Sequence, residues 1–157
     1  TGETLAPITG ETPVPQEHSK SAPKNGWSTV ASLRDRLELG ILERVRPAHV
    51  IGDRTSRLPN TTNIAFEALQ AEAILVALSE AGVCASAGSA CSSGSLEPSH
   101  VLEAMGIDRR IAHGAIRFSL SLETTAEEID RALEIIPDVI ARLSALVRQE
   151  PPALAGG

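Results

Sequence analysis

Cys91 sits at the centre of a ten-residue run, 86–95 (SAGSACSSGS), made only of Gly, Ser, Ala and Cys. A cysteine thiolate is a strong nucleophile and a metal ligand, so the chemistry open to this position is sulfur chemistry. Such a run has no helix or strand preference and few side chains to anchor it. Ordering it costs conformational entropy, and a thiol that must travel between two sites is one use for the freedom retained. Two blander readings stand beside that one. Cys91 is a small residue in a surface turn, or the run forms an anion-binding nest of backbone amides. No Gly-Lys-Ser/Thr follows, which argues against a nucleotide P-loop.

The other cysteine, Cys84, lies six residues before Cys91 with no paired histidine, which is not a zinc-site spacing. Two cysteines are also too few for a secreted disulfide framework. Cys84 reads as a buried small side chain on a short strand. A redox pair of Cys84 with Cys91 rests on their number alone.

The elements around the run are legible from hydrophobic spacing. From Ser28, apolar Val30, Leu33, Leu37, Ile41 and Val45 recur every three or four residues, with Arg34, Asp35, Glu38 and Glu43 facing away. Pro47 ends that helix. Val50 and Ile51 suggest a short strand, and 62–66 (TNIAF) a second one, with Asn60, Thr61 and Asn63 stabilising a turn before it. A helix is expected over 72–81, closed by Gly82, then a brief strand over 83–85 that leads into the cysteine-bearing run. After it come a short helix over 99–105, stopped by Gly106, and a strand over 115–121 (AIRFSLS). In that strand Ile116, Phe118 and Leu120 take one face, Arg117 and Ser119 the other. The last helix opens on a capping box, Thr125 with Glu128. Its stripe is Ile129, Leu133, Ile136, Ile140, Leu143 and Leu146, and Pro137 in the middle predicts a kink or break. The order of elements implies an α+β layer, with helices on one face of a small, largely antiparallel sheet.

A chain of 157 residues has room for one compact domain. The Pro/Gly/Thr-rich stretch 1–26 reads as a flexible head, 27–149 as the folded domain and 150–157 as a disordered tail. The net charge is −6 at neutral pH and the arginines are scattered, so no nucleic-acid or anionic-membrane partner is expected. The aromatic residues are only Trp27, Phe66 and Phe118, too few to stack single-stranded bases. No apolar run approaches bilayer length and no signal-peptide core is present, which favours a cytoplasmic location.

The stretch GSACSSGSLEPSHVLEAMG around Cys91 resembles the active-site loop of the cysteine desulfurases of the NifS and IscS type, within the class-V aminotransferases. RLPNTTNIAF, AHGAIRFSLS and the TTAEEID opening of the last helix match that family in order and spacing. The likeness runs over about 33–146, and SLRDRLELGILERV with the serine-rich AIRFSLS leans toward the nitrogen-fixation (NifS) branch.

The resemblance implies the small carboxyl-terminal domain of a fold-type I pyridoxal-phosphate enzyme that works as a homodimer. It implies that Cys91 attacks the sulfur of L-cysteine, that alanine leaves, and that the persulfide on Cys91 goes to an iron–sulfur scaffold protein. A transient iron–sulfur contact at Cys91 is implied in the same way. Arg117 is implied as the grip on the substrate carboxylate, a planar bidentate task suited to a guanidinium. On bottom-up grounds Arg117 equally fits a strand-to-strand ion pair at the surface.

The departure from the family is large. Its enzymes hold pyridoxal phosphate on a lysine, and this chain has only Lys20 and Lys24, both in the head. Their setting, HSKSAPKNG, has the wrong spacing for the family's lysine motif, so neither is assigned a cofactor role. His100 and His113 are expected to be structural or solvent-facing. Two functional expectations therefore stand side by side: a fragment of a cysteine desulfurase that is inactive alone, and a non-catalytic module that accepts persulfide on Cys91 from another donor.

Overall fold

The computed structural model describes residues 25–87 and 100–149. Five helices and four strands follow one another as α1 (Trp27–Arg44), β1 (Ala48–Val50), β2 (Thr61–Phe66), α2 (Ala71–Glu80), β3 (Ser86–Ala87), α3 (His100–Ala104), α4 (Arg109–Ala112), β4 (Ala115–Ser119) and α5 (Ala126–Gln149). The strands form one antiparallel sheet in the order β1-β2-β4-β3.

Helices α1, α2 and α5 cover one face of the sheet. Their buried stripes, Val30, Leu33, Leu37 and Ile41 on α1, Ile74 and Leu78 on α2, and Ile129, Leu133 and Ile136 on α5, close over Ile64, Phe66, Ile116 and Phe118. Each such side chain contributes about 1.5–3 kcal/mol by leaving water. The other face is covered in part by α3 and α4, where Leu102 and Ala112 bury Ala65 and Ala115. Sequence reasoning left α4 unseen. It is a single turn, capped by the Asp108 side chain accepting from the Arg110 N–H at 2.8 Å, and too short to show a period.

The ends of the helices follow their chemistry. Gly82 (φ +84°) and Gly106 (φ +72°) take the left-handed conformation that stops α2 and α3. After α2 the Val83 N–H returns to the Leu78 carbonyl at 2.8 Å, so Val83 completes the helix cap and is lost to the sheet. That is why the expected strand over 83–85 is displaced to Ser86–Ala87, and why Cys84 is exposed rather than buried. The Thr125–Glu128 capping box forms in both directions, with distances of 2.8 and 3.2 Å.

Two expectations for the long helices are corrected. Helix α5 runs unbroken through Pro137. Proline cannot donate to the carbonyl four residues earlier, that of Leu133, and Arg44 Nη1 takes the missing place at 2.7 Å. Leu146, expected in the stripe, is exposed, and Val139 is buried instead. Arg44→Met should therefore cost about 1–2 kcal/mol by urea unfolding. The cost should shrink in a Pro137→Ala background, where the helix supplies its own N–H; an equal cost in both backgrounds would contradict this role for Arg44.

The second correction concerns α1, where Arg34 and Glu38 face inward rather than outward. The Glu38 carboxylate, 1 % exposed, pairs with Arg57, accepts from Thr62 Oγ1 at 2.6 Å and meets Arg54 Nη2 at 3.1 Å. Arg34 Nη1 donates to the Leu58 carbonyl at 2.6 Å. This cluster ties the 53–58 turn and the start of β2 to α1.

Burial pushes the Glu38 carboxyl up, but hydrogen bonds from Arg57 and Thr62 and the charges of Arg57 and Arg54 outweigh it, leaving it below the usual range. A group lowered by folding stabilises the fold above its unfolded pKa, about 4.3 for glutamate, and that support fades as pH falls through the folded value. The urea midpoint should thus drop on the acid side of about pH 5 and drop less steeply in Glu38→Gln. Identical slopes would show that Glu38 is not the linked group. Asp53, held down to about 2 by the N–H groups of Ser56 and Thr55 and the Thr55 hydroxyl, supplies part of the slope that remains.

Candidate functional site

The face of the sheet opposite the main core carries a polar row. On β4, Ile116 and Phe118 point into the core, which turns Arg117 and Ser119 out to solvent, as their alternation requires. Arg117 lies between Asn63 of β2 and Ser86 of β3, its register partners on either side. Cross-strand partners share a face, so the exposed guanidinium is flanked by two short polar side chains. Among the described residues no carboxylate pairs with Arg117, whereas Arg34, Arg36, Arg54, Arg57 and Arg110 are each paired with an acid. A guanidinium left open in this way can receive a planar anion through two parallel N–H groups.

Asn63, expected to steady the turn before the strand over 62–66, lies in the middle of β2. Its carbonyl accepts from the Ile51 N–H at 2.8 Å, which continues the ladder beyond β1. Its side-chain Oδ1 is buried and has no hydrogen-bond partner among the described residues. The signal that could have found it was the alternation of β2. Thr62, Ile64 and Phe66 point into the core, which assigns Asn63 to the face of Arg117. Asn60 does hold the strand entry as expected, its Nδ2 donating to the Leu120 carbonyl at 3.1 Å.

Cys91 and positions 88–95 of the run expected to carry it as a mobile arm lie outside the described residues, whereas Ser86 and Ala87, expected to open that loop, form β3 instead. The elements on either side of that segment are described: β3 is the edge strand beside β4, and α3 lies over the Arg117 face. Strand β3 pairs Ser86 with Arg117 and Ala87 with Ile116. Helix α3 packs Leu102 against the cluster of Ala65 and Ala115. The topology thus sets Arg117 next to the strand that enters the cysteine-bearing segment and on the face covered by the helix that follows it. Cys84 is exposed two residues before β3. His100 is exposed, and His113 is half-buried, with its carbonyl accepting the Ala71 N–H at 2.9 Å.

The described residues do not fit a pyridoxal phosphate site. None of them is a lysine, since Lys20 and Lys24 both lie outside, and a Schiff base to the cofactor needs one. No group of three His, Cys, Asp or Glu side chains among the described residues could hold a metal ion, and no helix among them is long and apolar enough to cross a membrane.

The family described as aminotransferase class-V matches residues 24–132. A cysteine desulfurase of Gluconacetobacter diazotrophicus is 58% identical over 114 residues, covering 73% of this chain and 28% of its own length. The cysteine desulfurase NifS of Azotobacter vinelandii is likewise 58% identical over 114 residues, with the same coverage. A solved NifS-like protein superposes with a TM-score of 0.63 at 33% identity, over 74% of this chain and 28% of that one. The chain therefore spans little more than a quarter of the length of the relatives it matches. The α+β arrangement expected from the order of elements is that of NifS-like enzymes of the fold-type I pyridoxal-phosphate class. By the extent of the family match and by this fold, the chain belongs to the class-V aminotransferases, and the relatives it resembles within them are cysteine desulfurases of the NifS type.

Proposed function

We propose that this chain is the carboxyl-terminal portion of a cysteine desulfurase, in which Arg117 holds the carboxylate of L-cysteine and Cys91 accepts its sulfur. The observation that carries the reading is the open guanidinium of Arg117 beside the strand that leads to Cys91. Cys91 is the fourth residue after Ala87, so covalent geometry keeps its Cα within about 14 Å of that strand end.

The transfer balances without an external oxidant or reductant. The Cys91 thiolate attacks the sulfur of L-cysteine, forming an S–S bond as the carbon–sulfur bond breaks. The electron pair of the broken bond stays on carbon and takes a proton, giving the methyl group of alanine, and Cys91 keeps the persulfide. Pyridoxal phosphate, which enzymes of this family use, belongs in this reading to residues outside those described. Homodimer assembly, delivery of the sulfur to an iron–sulfur scaffold with a brief cluster contact at Cys91, a role in nitrogenase maturation and a cytoplasmic location complete the proposal. They rest on the likeness to NifS.

The reading is tested by incubating the complete enzyme with L-cysteine, alkylating it and analysing its peptides by mass spectrometry. One extra sulfur atom is expected on the peptide containing Cys91 and none on that containing Cys84. Sulfur on Cys84, or on neither, would refute the assignment. If Cys91 is loaded only when a second protein supplies persulfide, the chain is an acceptor module instead.

A further inference from the structure

The buried, unpartnered Oδ1 of Asn63 is costly as it stands. A buried acceptor without a donor gives up its hydration and gains nothing in exchange. Such atoms persist where a partner arrives with a ligand or a rearranged side chain. Across the β2–β4 ladder the register partner of Asn63 is Arg117, on the same face, and the Arg117 side chain is exposed with no acid paired to it among the described residues. A guanidinium has five N–H donors, of which a carboxylate in the bidentate arrangement takes two. Donors remain for a neighbour, and Asn63 presents an acceptor from the adjacent strand.

We propose that Asn63 is a positioning residue for Arg117: its Oδ1 accepts a hydrogen bond from the guanidinium and sets the plane in which Arg117 receives a carboxylate. The inference rests on the reading of Arg117 as the substrate grip and goes beyond it. Holding the fork in one plane removes rotamer freedom before the ligand arrives, so less is lost on binding. The sheet makes the arrangement firm. Thr62, the residue before Asn63, is buried and bonded to Glu38, and the Asn63 carbonyl is held by Ile51. The side chain of Asn63 therefore projects from a strand fixed on both sides, and Ser86, the other neighbour of Arg117, is too short to crowd it.

The test is a double-mutant cycle in the complete enzyme with Asn63→Ala, Arg117→Ala and the pair. Two quantities are read: the kcat and KM for L-cysteine, and the Kd for the product L-alanine by calorimetry. Asn63→Ala is expected to raise KM and Kd about tenfold, the loss of one charge-assisted hydrogen bond, with kcat changed less than about twofold. In the Arg117→Ala background the same substitution should change nothing further, because a positioning residue has no effect without the group it positions. An unchanged KM in Asn63→Ala, or an equal increase in both backgrounds, would overturn the inference while leaving Arg117 as the grip. An Arg117→Ala enzyme with normal KM and Kd would overturn the substrate reading itself, and the inference with it. Asn63→Val suits a strand and equally lacks an acceptor, so it carries the same expectations should the alanine variant fail to fold.

Discussion

Replacing Cys91 with serine in the complete enzyme is expected to reduce alanine release from L-cysteine by at least about a thousandfold. A serine hydroxyl is almost wholly protonated at neutral pH, whereas a thiol has an appreciable thiolate fraction and a polarisable sulfur suited to attack on another sulfur. The substitution is nearly isosteric and falls in a run already rich in serine, so folding should be spared. Binding of L-alanine, assigned by the proposal to Arg117 and not to the thiol, should be unchanged. That combination, lost turnover with intact binding, distinguishes a missing nucleophile from a collapsed site. Retention of more than a tenth of wild-type alanine release would show that sulfur leaves by a route independent of Cys91. Cys84→Ser is the matching control and is expected to remain active, because Cys84 is exposed in the connection between α2 and β3, before β3 rather than beyond it.

The second large effect falls on the fold. Gly114, between α4 and β4, approaches another backbone so closely that a Cβ placed there would lie 2.0 Å from the Phe66 carbonyl oxygen and 2.9 Å from its carbon. Neither atom can swing aside. The Gly114 carbonyl also accepts the Phe66 N–H at 3.0 Å, and the neighbouring His113 carbonyl accepts that of Ala71. Gly114→Ala must therefore push β2 away from β4 at the end of their ladder. It should cost about 3 kcal/mol or more in urea unfolding. Gly40→Ala is the instructive contrast. There a Cβ would meet only the side chain of Leu133, at 2.6 Å from Cδ2, and a side chain can repack where a carbonyl cannot. Its expected cost is smaller, about 1–2 kcal/mol. A Gly114→Ala chain within about 1 kcal/mol of wild type would mean that the strands tolerate the displacement. Because Asn63 and Arg117 face each other across this same ladder, any variant that survives should also bind the carboxylate ligand less well.

Helices α1, α2 and α5 and strand β4 were legible in the sequence because each carries its signal locally. Apolar residues repeat at three and four positions in the helices and at two in the strand, glycines close α2 and α3, and Thr125 with Glu128 writes the cap of α5 in four letters. The candidacy of Cys91 and Arg117 rests on a different signal: the residues around them form a family pattern that needs no fold to be recognised. What local sequence left open was decided by partners far along the chain. Glu38 reads as a solvent-facing glutamate until Arg57 and Thr62, 19 and 24 residues away, enclose it. Pro137 reads as a break until Arg44, 89 residues away from Leu133, satisfies the carbonyl that proline abandons. Asn63 reads as a residue that steadies the turn before its strand until the register of β2 against β4 sets it opposite Arg117. Periodicity determines which face of an element is apolar. Only the assembled fold determines which polar group finds a partner, because a buried charge or an orphaned carbonyl is tolerated solely where a distant side chain comes to meet it.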